Sequence, residues 1–333
     1  MQRRTLVHTL SVAALATTLV TPGHAQAPAR EKVVLLLNWY VYSEHAPFFL
    51  GKERGFYEAK GIDLEIQEGR GSGISVQAVA AGSATFGYVD VPTMIRAATK
   101  GAPVKAVGVA LQVSPMSVIG LADKNIKAPK DIVGKTVAMT PGDSMSQIWP
   151  LFMKKTGLQE GQYKVVSGDG QTKLNAVING QADVLLGYLM DQNIKIQDAT
   201  GKPVSVLRFA DYGVNLISSG IVANTDTIAK KPDLVKRFMR ASTRALEEAE
   251  KSPEAAVDAL LKAQPKAGQR ETLVIGMKLT TPLYRNDDTK GGRPFRVSMK
   301  NVNESLDLLV QYGGLDPAVR GKAEDWVSND YLP

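Results

Sequence analysis

The sequence predicts an α/β protein of two lobes, each a mostly parallel sheet flanked by helices. Three observations carry that prediction. Strand and helix patterns alternate along residues 32–209. The alternation runs twice, and the second run repeats the grammar of the first. Two glycine-bearing apolar segments, 117–122 and 216–223, flank the second run as candidate crossings between lobes.

In order, residues 32–37 form a continuous apolar run, as a parallel strand buried on both faces requires. Residues 46–60 fit a helix, with Pro47 in the first turn and Gly61 beyond the end. Strands follow at 62–68, 85–88 and 104–110, with helices at 75–81 and 91–100, the latter closed by Gly101. The second run places strands at 135–139, 163–167, 184–187 and 205–209. Helices at 146–155, 171–179 and 190–200 lie between them, two ending before Gly157 and Gly201. From Pro232 onward helices dominate, at 232–250, 253–263, 268–278 and 302–312. Residues 73–88 and 170–188 each read as a Gly-opened helix, a Gly stop, a strand and then Gly-Tyr. Any α/β unit shares part of that pattern, so it indicates two like lobes without proving duplication. The expected division is 30–116 plus 224–333 for lobe one and 117–223 for lobe two, hinged at Gly120 and Gly220.

The first 25 residues read as an export signal. Arg3 and Arg4 precede an apolar stretch at 10–20 that is too short to span a bilayer, and Gly23-His24-Ala25 offers a cleavage site after Ala25. Sec-type export is favoured over the twin-arginine route, which residues 2–7 resemble weakly; the expected compartment is the periplasm. With no cysteine, thiol nucleophiles, cysteine metal sites, c-type haem attachment and a lipid anchor are all excluded. Of three histidines, only His45 lies beyond the leader. The formal charge of +7 is scattered, with no aromatic-interleaved basic stripe, so no nucleic-acid partner is expected. A hydrolase would need His45 as its sole base, and no Gly-x-Ser-x-Gly elbow or distinctive carboxylate pair accompanies it. Binding is therefore expected rather than catalysis, with no metal and no cofactor.

Ligands of open α/β sheets bind beyond the carboxyl ends of the strands, and five places meet that condition. The first holds Asn38, Trp39, Tyr40, Tyr42, Glu44 and His45, a concentration of rings in a chain with only 3 Trp and 10 Tyr. Such rings either stack on a planar ligand or pack on the core, with His45 capping the next helix. The second is Gly69-Arg70-Gly71-Ser72-Gly73, whose free N–H groups suit an anion or a carbonyl oxygen but lack the P-loop ending. At the third, Asp90 either caps a helix or accepts from a ligand amino group, beside Tyr88. The fourth presents Ser144 and Ser146 before a helix carrying Trp149, as caps or donors. The fifth is Gly187-Tyr188, with Asp191 nearby. The expected ligand set is Asn38, Trp39, Tyr42, His45, Ser72, Gly73, Tyr88, Asp90, Ser144, Trp149 and Tyr188. In it Trp39, Tyr88 and Tyr188 enclose a planar ligand, while Asn38, His45, Asp90 and Ser144 orient it.

The run from Leu37-Asn38-Trp39 through His45-Ala46-Pro47, followed by Gly55-Phe56-Tyr57 and Gly61-Ile62-Asp63-Leu64, resembles the thiamine-pyrimidine-precursor binding proteins. These group with the taurine- and alkanesulfonate-type receptors of ABC importers. Residues 82–88 and 127–138 fit the same pattern. The resemblance implies a periplasmic-binding-protein fold, a monomer, a small planar ligand and delivery to an inner-membrane ABC permease. Members often carry Asp where this chain has Asn38, and Asp90 is the candidate replacement. Fungal relatives that make the pyrimidine use a cysteine-rich motif and a sacrificial histidine; this chain has no cysteine.

Overall fold

A computed structural model describes residues 30–333. The expected export signal, with its boundary after Ala25, lies outside the described residues.

The first lobe opens with β1 (Glu31–Leu36), α1 (Ala46–Glu53), β2 (Ile62–Gln67), α2 (Ser72–Ala80), β3 (Phe86–Asp90), α3 (Val91–Ala98) and β4 (Val104–Val109). The second contains β5 (Met116–Leu121), β6 (Thr136–Met139), α4 (Ser144–Thr156), β7 (Lys164–Ser167), α5 (Gly170–Ile178), β8 (Val184–Tyr188), α6 (Gln192–Thr200) and β9 (Val204–Arg208). The chain then returns through β10 (Ser219–Asn224), α7 (Thr225–Lys230), α8 (Pro232–Lys251), α9 (Pro253–Ala263), α10 (Arg270–Thr280), α11 (Met299–Gln311) and α12 (Ala323–Trp326).

The two sheets have orders β2-β1-β3-β10-β4 and β7-β6-β8-β5-β9. Both follow one plan. Three parallel strands run second-first-third, and an antiparallel strand is inserted before the last. The alternation and the repeated Gly-Tyr motif therefore reflect equivalent positions, since β3 and β8 are topological counterparts. Apolar runs fill the centre of each sheet; every residue of β3, β5 and β8 is buried.

The predicted helix at 46–60 is broken. Gly55 takes the left-handed φ of 70°, which ends α1, and a separate short turn at Glu58–Lys60 stops at Gly61 with φ 68°.

The hinge expectation is also corrected. Gly120 lies inside β5, paired with Val184 and Ser205, and Gly220 lies inside β10, paired with Val89 and Val109. Thus β10 belongs to the first sheet rather than to lobe two, and the crossings are the stretches between β4 and β5 and between β9 and β10. A Cβ on Gly120 would sit 2.5 Å from the Asp183 carbonyl oxygen, and one on Gly220 would sit 2.5 Å from that of Gly108. These glycines permit close strand packing rather than bending. Gly220→Ala is accordingly expected to lower unfolding free energy by about 1–3 kcal/mol in a urea melt. Unchanged stability would show that the strand has room to move.

Candidate functional site

The carboxyl ends of β1, β6 and β8 face one another across a cavity of about 350 Å³ of atom-free space, mouth included. Lobe one contributes Asn38, Trp39, Tyr42, Gly71 and Ser72; lobe two contributes Asp143, Ser144, Met145, Lys173, Tyr188 and their neighbours Gly187, Asp191 and Gln192.

The loop after β1 is braced by His45. Its Nδ1 lies 3.4 Å from the Tyr42 N–H, which donates to it, and its Nε2 lies 2.8 Å from Asn38 Oδ1, so the ring is the neutral Nε2–H form. Burial pushes this imidazole down to about 3. With 0% exposure and both nitrogens occupied, His45 does not face the cleft as expected; it positions Asn38 and Tyr42, which do.

Behind them lies Glu44, 2% exposed and, among the described residues, without a cationic partner. Its carboxyl accepts from the hydroxyl of Tyr42 and from that of Tyr88 at 2.8 Å. Burial pushes it up to about 7. Tyr88 therefore supports the floor of the cleft through Glu44 instead of lining it.

Asp90 is a helix cap. Its Oδ2 accepts from the Thr93 N–H at 3.0 Å and the Thr93 hydroxyl at 2.8 Å, and Oδ1 accepts from Ser218 at 3.4 Å. Fully buried, it does not line the cavity, and its carboxyl is committed to Thr93 and Ser218. Trp149 stacks on Phe152 at 5.4 Å within lobe two and donates its indole N–H to Tyr163 at 2.8 Å, away from the cleft. Gly73 borders a different groove.

Of the predicted set the structure brings Asn38, Trp39, Tyr42, Ser72, Ser144 and Tyr188 to one cavity. The Ser144 and Tyr188 hydroxyls are 3.1 Å apart, and the Ser72 hydroxyl accepts from the Asp90 N–H at 3.0 Å. Gly71 joins them with φ 127°, and a Cβ there would stand 3.3 Å from Asp143 Cα, so glycine lets the lobes approach.

Sequence reasoning missed Lys173, which reads as one more lysine on a helix face. It is 2% exposed. Its ammonium donates to the Leu186 carbonyl at 2.8 Å, lies 3.5 Å from Asp143 Oδ2, and stands 4.9 Å from the Trp39 ring centroid. Tyr40 forms a second link between lobes. Its hydroxyl donates to Asp191 and accepts from Gln192 at 3.0 Å, while Lys195 sits 4.2 Å over its ring and 2.8 Å from Asp191. Burial and the Asp191 charge hold the Tyr40 phenol well above its usual range, so it stays a donor. The i,i+4 pairing of Asp191 with Lys195 was a visible signal; the partners of Lys173 come from three separate segments and were not.

Among the described residues no cluster of His, Cys, Asp and Glu could hold a metal ion, and no helix is long and apolar enough to cross a membrane.

A family model described as NMT1/THI5 like matches residues 42–256, more than half of the chain. The chain belongs to the NMT1/THI5-like family. A relative in Legionella pneumophila, named 4-amino-5-hydroxymethyl-2-methylpyrimidine phosphate synthase, is 27% identical over 290 residues, covering 86% of this chain and 87% of its own. The formylaminopyrimidine-binding protein of Halalkalibacterium halodurans is 26% identical over 243 residues, 72% of each chain. The alkanesulfonate-binding protein SsuA of Xanthomonas axonopodis pv. citri, solved with MOPS bound, matches with a TM-score of 0.66 at 15% identity, over 91% of this chain and 99% of that one. This likeness shows the fold: a two-lobed periplasmic-binding-protein architecture, as this NMT1/THI5-like sequence predicts.

Proposed function

We propose that this chain is an exported receptor of an ABC importer. It captures a small planar nitrogen heterocycle of the aminopyrimidine class between its lobes and hands it, unchanged, to an inner-membrane permease. The observation that carries this reading is the composition of the cavity. Rings from both lobes (Trp39, Tyr42, Tyr188) and hydrogen-bonding groups from both lobes (Asn38, Asp143, Asp191, Gln192) line the same space. Faces of this kind hold a flat ring, and the amides and carboxylates suit ring nitrogens and exocyclic amino groups. The formylaminopyrimidine-binding relative supports that class.

The synthase name of another relative raises an enzymatic reading. A sacrificial histidine would have to meet its substrate, and the one histidine among the described residues is sealed from the cleft with both nitrogens bonded. Incubation with pyridoxal phosphate and iron is expected to leave the mass of the His45 peptide unchanged. Loss of mass there would establish the synthase instead. A sulfonate-type receptor is the other alternative, favoured by Ser72 and Ser144, each at a helix start in the cavity.

A thermal-shift screen of aminopyrimidines, flavins, aromatic carboxylates and sulfonates separates these ligands. A ligand at a hundred times its Kd stabilises the fold by about 2.7 kcal/mol. Aminopyrimidines are expected to give the largest rise in melting temperature. A rise with sulfonates alone would favour the second receptor class, and no rise with any of them would reject the ligand assignment.

A further inference from the structure

A second groove crosses the lobe boundary outside the cleft. Its walls are Gln77 on α2, Thr93 and Arg96 on α3, Lys100 just beyond α3, and Ser146 and Gln147 on α4 of the other lobe; it encloses about 770 Å³ of atom-free space, open mouth included. The contact of Gly73 with Gly142, where a Cβ on Gly73 would lie 2.9 Å from the Gly142 carbonyl oxygen, stands between α2 and the loop before α4.

The groove is cationic, and one amino group of Arg96 turns toward the end of α11, beside Gly313. Neither Arg96 nor Lys100 makes a side-chain hydrogen bond or ion pair among the described residues, although most basic residues with burial comparable to that of Arg96 have a carboxylate partner. The Nε of Arg96 is buried with no acceptor. No carboxylate lines the groove; the nearest acid in the electrostatics of Arg96 is Asp90, sealed behind it and already accepting from Thr93 and Ser218. A half-buried guanidinium without a partner is costly, and an oxyanion would satisfy its planar fork.

We propose that this groove is a second ligand site, for a small oxyanion such as phosphate or sulfate, held by Arg96 and Lys100 with Gln77 and Gln147 as polar neighbours. Because α3 and α4 belong to different lobes, an anion bound there joins them from outside the cleft and favours the closed arrangement. This inference does not depend on the identity of the cleft ligand.

The test is titration of the purified protein with inorganic phosphate, followed by melting temperature, against sodium chloride at matched ionic strength. A saturable rise with phosphate, absent with chloride, is expected. Arg96→Gln/Lys100→Gln should weaken the apparent affinity at least about tenfold. Lys100→Gln alone, at an exposed position, serves if the double variant does not fold, and should weaken affinity several-fold. An equal rise with chloride, or unaltered affinity in the variants, would overturn the proposal.

Discussion

Trp39→Ala is expected to weaken aminopyrimidine binding by about 10- to 100-fold, the range that removing a ring stacked on a base produces elsewhere. The indole is partly buried at the cavity wall, beside Tyr40 and against the lobe-two segments carrying Gly170 and Lys173. Truncation removes both the platform and the cation–π link that helps close the lobes. Trp39→Phe should recover most of the affinity, because it keeps a ring face. Calorimetric titration checks both. Equal affinity in Trp39→Ala and the parent chain would move the ligand off this wall.

The second large effect concerns pH. Glu44 ionises near 4.5 in an unfolded chain and near 7 in the fold, chiefly because burial disfavours its charged form. A raised carboxyl contributes stability that is complete below about pH 4.5 and is lost as pH rises through 7. Asp90, raised from 3.8 to about 6 by burial, acts in the same direction. His45 acts in the opposite one: lowered from 6.5 to about 3, it contributes stability that is present above 6.5 and is lost as pH falls through 3. From these three groups the fold is expected to be most stable at about pH 4 and to lose stability toward pH 7. Glu44→Gln removes the ionisation while keeping an acceptor for the Tyr42 and Tyr88 hydroxyls. At pH 8 it should stabilise by up to about 3 kcal/mol, from a shift of about 2.5 units at 1.36 kcal/mol each, and at pH 4.5 by close to nothing. Guanidinium melts at the two pH values measure this. An effect of the same size at both would mean that Glu44 does not titrate near 7 in the fold.

Much of this architecture was legible because parallel strands and amphipathic helices leave distinct periods in the sequence, and because Gly-Tyr recurs at topologically equivalent strands. The crossings were misplaced for a physical reason. A glycine within an apolar strand has two uses, bending and close approach, and only the packed sheet shows that Gly120 and Gly220 serve the second. The site divides along similar lines. Trp39, Tyr42 and Tyr188 could be found from their place after strands. His45, Tyr88 and Asp90 follow the same rule, yet the fold spends them on bracing the loop, on Glu44 and on a helix cap. Lys173 was invisible because its meaning depends on Asp143 and Leu186, brought to it by the folding of lobe two, and on Trp39, brought to it from lobe one.

Native mass spectrometry of the protein, purified gently from its own cells, tests most directly whether this chain grips its guest without reacting. One small heterocycle per polypeptide is expected, released intact on denaturation, from a polypeptide that carries no chemical modification. A chemically altered histidine, or a bound product that the protein itself generates from added precursors, would contradict this reading.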